Sequence, residues 1–181
     1  MTLTGFLRGI NVGGHHKVPM GELRSKLTEI GCEDVRTLLN SGNIIFETNQ
    51  TNIRDLESKI ESHISQSFPF EIPVILREES DITDLVSKNP FQNISTHKDI
   101  RMYVSFLKDE PGIEVTLPHT SKDNSYKIIS VSNRIICSVL DLSTTKTPKG
   151  MDELEKLFGK NITTRNWNTI LKINEVIIAG N

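Results

Sequence analysis

"VRTLLNSGNIIFET", residues 35–48, decides the fold, because two apolar runs flank Asn40 to Asn43, a segment that supplies residues tolerant of positive φ at a strand reversal. The spacing predicts a β-hairpin. Upstream, Met20, Leu23, Leu27 and Ile30 recur at helical spacing, with Pro19 suited to the first turn and Gly31 to the stop. Before that helix, residues 3–8 form a short apolar strand. Downstream, Ile53, Leu56, Ile60 and Ile64 mark a second amphipathic helix, and "IPVILR", residues 72–77, reads as a fourth strand. The order over residues 1–77 is βαββαβ.

That order predicts a ferredoxin-like unit, in which the right-handed crossover puts strand one beside strand three with all neighbours antiparallel. Strands one and two then run the same way. The loop leaving strand one, "RGINVGGHHK" at residues 8–17, is therefore expected beside "NSGN" at one edge of the sheet. Phe68 and Phe70, in the connection into strand four, are placed to wall that edge.

Residues 78–181 are expected to form a second, smaller α/β unit packed on the first and ending in helices, so the fold class is α+β, an α/β sandwich. A short helix, "SDITDLVSKN", should end before Pro90. "RMYVSFL" puts Met102, Val104 and Phe106 on one strand face, and a short element is placed at Ile113 to Leu117. "YKIISV" and "RIICSVL" form a hairpin around Ser132 and Asn133. After the polar, basic "LSTTKTPKG", two helices are expected, "MDELEKLF" and "TTRNWNTILKINEVI", with Thr163 or Thr164 as cap of the last.

With 181 residues, 36% hydrophobic and 24% charged, the chain has material for one or two compact cores. A net charge of -2 argues against a surface built wholly for nucleic acid or anionic lipid, so any anion site must be local. Cys32 and Cys137 lie far apart in apolar segments and read as buried thiols, not a disulfide or a metal knuckle. No apolar run approaches the ~18 residues of a spanning helix, and no leader pattern opens the chain. It reads as cytoplasmic, with no membrane partner.

The local anion site is expected in the first loop. From Arg8 to Gly21 there is no acidic residue, while Arg8, His15, His16 and Lys17 crowd together with Gly9, Gly13 and Gly14. Consecutive backbone N–H groups in such a segment, beside a helix N-terminus, favour phosphate or carboxylate. It is not a P-loop: His15 and His16 stand where the lysine and hydroxyl of GK[ST] belong. The adjacent histidines point apart in most backbone conformations and no ligand spacing completes them, so no metal is expected. Ser41 has no elbow or relay to make it a nucleophile, and no catalytic residue or cofactor is named. The expected ligand contacts are Arg8, Asn11, Gly13, Gly14, His15, Lys17, Asn40, Ser41 and Asn43. Arg165, Asn166 and Trp167 of "TTRNWNT" are expected as a further wall, with Arg165, Asn168 and Lys172 on the polar side of the helix, Trp167, Ile170 and Leu171 on the apolar side, and Lys146 and Lys149 nearby.

The stretches "LRGINVGGHHKVPM", "VRTLLNSGNIIF" and "TTRNWNT", with the dipeptide Pro90–Phe91, resemble a large, mostly bacterial family of uncharacterised proteins, a domain of unknown function of about this length. The resemblance implies that the three clusters matter together; it brings no reaction, substrate or catalytic set.

The leading functional expectation is a binder of a small phosphate- or carboxylate-bearing ligand. An enzyme acting on an anionic small molecule is the alternative, though no carboxylate near His15 in sequence is placed to orient it as a base. A single-stranded RNA module would use Phe6 and Phe46 on the sheet face, but the RNP1 pattern is missing and both read as core. Nucleic acid is thus disfavoured. A homo-oligomer is left open.

Overall fold

The computed structural model describes residues 1–145 and 147–180. The chain divides into two compact units, Met1–Thr83 with the last residues from Ala179, and Asp84–Ile178.

The first unit holds β1 (Thr2–Leu7), α1 (Met20–Glu29), β2 (Glu33–Leu38), β3 (Asn43–Glu47), α2 (Ile53–Ser65) and β4 (Val74–Glu78). Its sheet order is β2-β3-β1-β4, every pair antiparallel. That is the split βαβ order expected from the hairpin at residues 35–48. One sheet face, with Leu3, Leu7, Ile44, Phe46, Val74 and Leu76, packs with Leu23 and Leu27 of α1 and Leu56, Ile60 and Ile64 of α2. The other face is closed too: Thr4, Phe6, Ile45, Ile75 and Arg77 are all buried. Phe6 and Phe46, each 0% exposed, are core residues and offer no stacking platform.

Helix α1 ends as its sequence predicts. Gly31 at φ 90° closes a Schellman arrangement in which Cys32 N donates to Leu27 O and Gly31 N to Thr28 O. Its start differs slightly, for Pro19 is the residue before the first turn and supplies no side-chain cap. Helix α2 is capped by Asn52, whose side chain accepts from Asp55 N.

The second unit carries α3 (Glu79–Lys88, which begins in the first), β5 (Ile100–Leu107), β6 (His119–Thr120), β7 (Tyr126–Ser132), β8 (Ile135–Asp141), α4 (Thr147–Phe158), β9 (Ile162–Asn166) and α5 (Trp167–Gly180). The antiparallel sheet runs β6-β7-β8-β5-β9. The β7–β8 turn is as expected at Asn133 (φ 50°), with Arg134 (φ 59°) sharing the left-handed conformation.

Four expectations are corrected. Residues 113–117 form no strand; the short element comes later, at His119–Thr120. Helix α4 starts at Thr147, inside the segment expected to be loop, because a proline such as Pro148 is tolerated in a first helical turn. Thr163 to Asn166 are strand, not helix: the β-branched run Ile162–Thr164 prefers extended backbone and pairs with β5. The helix therefore begins at Trp167, capped by Asn166 Oδ1, which accepts from Asn168 N at 3.0 Å. Its apolar face is Trp167, Ile170, Ile173 and Ile177, not Leu171. Among the described residues no helix is long and apolar enough to cross a membrane.

Candidate functional site

The β1 ladder runs to its last residue: Leu7 N donates to Gly42 O at 2.8 Å and Arg8 N to Pro73 O at 2.9 Å. Beyond it the backbone turns left-handed at Gly9, Asn11, Gly13, Gly14 and His16, with φ of 72°, 55°, 58°, 81° and 50°. The expected open loop is in fact a miniature hairpin. Asn11 N donates to His16 O and His15 N to Val12 O, both at 3.0 Å, with Gly13 and Gly14 as the two central residues of the turn. Two successive positive φ values are the requirement of a type I′ turn, which glycine meets without strain. His15 N–H is thereby spent inside the turn. Val12 stands 68% exposed at the tip, and Gly13 to Lys17 are exposed with it.

Asn11 holds this hairpin in place. Its Oδ1 accepts from Val18 N at 2.9 Å, and its Nδ2 donates to Val18 O at 3.1 Å and to Asn40 O at 2.9 Å. The last bond joins the two polar segments that the topology places at one edge. On the second, Asn43, 0% exposed, donates through Nδ2 to Leu38 O and Ser41 Oγ, each at 2.9 Å. Gly42, at φ 74°, leaves no room for a side chain, since a Cβ would lie 2.8 Å from Leu7 Cβ and Ile10 Cδ1. His16 is also committed: Nδ1 donates to Gly9 O at 3.1 Å and the ring stacks on Phe70 with centroids 4.4 Å apart. Phe68 follows Phe70 at 6.1 Å, so the expected aromatic wall is present.

These contacts sort the expected residues. Asn11 and Asn43 spend their side-chain amides on the scaffold, because two hairpin tips with left-handed backbone need side-chain bonds to hold them. Arg8 is half-buried, and His15, Lys17, Asn40 and Ser41 are exposed.

The second unit treats its expected residues differently. Arg165 lies on β9 opposite Val104, with Nη1 donating to Thr163 Oγ1 at 2.8 Å and Thr164 O at 2.9 Å. Burial lowers its guanidinium to about 10. It does not share a helix face with Asn168 and Lys172, because it is a strand residue. Asn166 is the α5 cap. Trp167, 6% exposed, packs on Phe91 at 5.1 Å and 59°. Lys149 is bonded to Asp123 at the start of α4, and Lys146 lies outside the described residues. Sequence reading missed the Phe91–Trp167 contact and the Val12–His15 turn; adjacent glycines between non-glycine residues were the available signal for the latter.

A family model described as a protein of unknown function, DUF1697, matches residues 1–136. The chain belongs to the DUF1697 family. The match takes in the first-loop and "NSGN" segments and the Pro90–Phe91 dipeptide, and stops short of Arg165 to Trp167. Among solved structures, this DUF1697 member is similar to the conserved bacterial protein SP0830 from Streptococcus pneumoniae. The two share 26% identity with a TM-score of 0.74, over 97% of this chain and 98% of that one. A search of curated proteins finds no match.

Proposed function

We propose that this DUF1697 protein binds a small phosphate- or carboxylate-bearing ligand on the surface of the two joined hairpins. The observation that carries the reading is the Asn11–Asn40 bond, which brings the acid-free segment Arg8–Gly21 against the hairpin containing Ser41. Arg8, His15 and Lys17 supply positive charge or N–H donors, Ser41 a hydroxyl and Asn40 an amide. The tip backbone at Gly13 and Gly14 admits close approach. Arg165 bonds to Thr163 and Thr164 and Trp167 packs on Phe91, so the reading narrows to residues of the first unit.

A thermal-shift screen at fixed ionic strength tests it, with inorganic phosphate, nucleotides, sugar phosphates and small carboxylates as probes. A ligand at 100 times its Kd stabilises by about 2.7 kcal/mol. The expected result is a saturable shift that Arg8→Ala and Lys17→Ala weaken. A panel without a saturable shift, or shifts indifferent to both substitutions, overturns the reading.

A further inference from the structure

Helix α4 lies against one face of the second sheet, with Leu154 packed among Tyr126, Ile128, Ile136 and Leu140. The strand pairing decides which polar groups share that face. His119 pairs with Ile128 and Ile128 with Ser138, so the three stand in one row across β6, β7 and β8. Tyr126 lies two residues from Ile128 on β7 and so points to the same side. Its ring is held close beneath the helix: a Cβ on Gly150 would come within 3.2 Å of Tyr126 Cδ2 and 2.8 Å of Leu140 Cδ1. Glu153, three residues further along α4, shares the face of Gly150, and its Oε1 stands 3.7 Å from His119 Nε2.

At the centre of this cluster are two hydroxyls that the chain leaves unbonded. Tyr126 is 1% exposed and Ser138 is 0% exposed. Neither Tyr126 Oη nor Ser138 Oγ has a hydrogen-bond partner among the described residues, and His119 Nε2, also covered, has none. The groups nevertheless act on one another. Burial raises the Tyr126 phenol, the Ser138 hydroxyl pulls it down, and the Glu153 carboxylate pushes it up again. A buried hydroxyl is costly to leave without a bond, and native interiors meet that need with ordered water.

We propose that this cluster binds one water molecule beneath α4, held by Tyr126 Oη and Ser138 Oγ and bounded by Glu153 and His119. The donor and acceptor set is the one water fits. Each hydroxyl can donate or accept, the carboxylate accepts, and the imidazole nitrogen takes either role. An internal water needs two to four polar partners, and four converge here. An apolar guest would leave both hydroxyls unbonded, and an anion would face the Glu153 carboxylate. A metal ion would find one carboxylate and one imidazole, short of the three or four ligands it takes from protein. His119 and Glu153 are only half-buried, so the water exchanges with solvent on their side. It also joins the helix to the sheet, since Glu153 belongs to α4 and the two hydroxyls to β7 and β8.

The test uses the whole protein and no added ligand. Oxygen-17 relaxation dispersion detects water held longer than the molecule takes to tumble and is blind to the exchange of hydroxyl protons. Tyr126→Phe/Ser138→Ala removes both oxygens at almost constant shape, and it should lose the signal of one long-lived water relative to the parent. A crystal structure of the parent should place a water oxygen within about 3.2 Å of both hydroxyls. Equal dispersion in parent and variant overturns the proposal, as does a crystal structure in which Tyr126 Oη bonds directly to Ser138 Oγ. Should the double variant fail to fold, the parent crystal structure decides alone: a water bonded to both hydroxyls supports the site, and density without one overturns it.

Discussion

Asn11 offers a direct way to ask whether the first hairpin is a built structure. Replacing it with glycine keeps the left-handed backbone and removes all three side-chain bonds, those to Val18 N, Val18 O and Asn40 O. Val18 is 3% exposed, so its N–H is left without a ready substitute. At about 0.5–1.5 kcal/mol per bond, Asn11→Gly should cost about 2–3 kcal/mol. Alanine adds about 1–2 kcal/mol for a Cβ in the left-handed region, offset by about 0.4–1 kcal/mol from its stiffer unfolded chain. Asn11→Ala should therefore fall below Asn11→Gly by about 1 kcal/mol. Urea unfolding with an unchanged slope measures both. If the two variants are equally stable, φ 55° is not a constraint at this position; if both lie within about 0.5 kcal/mol of the parent, the three bonds do not hold the hairpin.

Two further outcomes are expected. Trp167→Ala removes a buried indole from Phe91 and should cost about 3–5 kcal/mol in a melt, with Trp167→Phe recovering most of it; a small loss would mean that the ring is not core. Burial raises Cys32 and Cys137 to about 11 and Tyr126 to about 12, from ordinary values of 9.0, 9.0 and 10.0. The folded state thus keeps these protons longer than the unfolded chain, and that stability is full below pH 9 and lost as pH climbs through 11. Between pH 8 and 10.5 the urea midpoint should fall by an amount worth about 2–4 kcal/mol, the lowered Arg165 acting in the opposite sense above pH 10. A flat profile would show that the thiols are hydrated.

The first unit was legible because its signals are local. Asn40 to Asn43 announce a reversal, Gly31 a helix stop, and the periods of Leu23/Leu27 and Leu56/Ile60/Ile64 name their buried faces. Strand β9 was not, because "TTRNWN" sits against a true helix and its pairing with β5 depends on residues some 60 positions away in sequence. Non-local pairing overrides a local helical pattern. The meeting of the two polar segments was legible, the roles of their residues less so: polarity drew attention to Asn11 and Asn43, while only the hydrogen bonds show that both hold the backbone. Glu57 is similar. It reads in sequence as an ordinary charge although it falls among the buried positions of α2, and its partner, Leu76 N, lies 19 residues on.

The Val12–His15 turn has a kinetic and entropic consequence for whatever meets it. A disordered loop that closes on a ligand gives up about 1–2 kcal/mol of backbone entropy for each residue it fixes. In this hairpin that ordering is complete once the chain folds, so contact energy at Arg8, Lys17 or Ser41 is not diluted by it. If the proposed anion site is here, preorganisation of this kind would let a shallow, water-facing surface hold it with few contacts. It also implies association without a slow closing step, and proteolytic susceptibility of the tip that is the same with and without ligand.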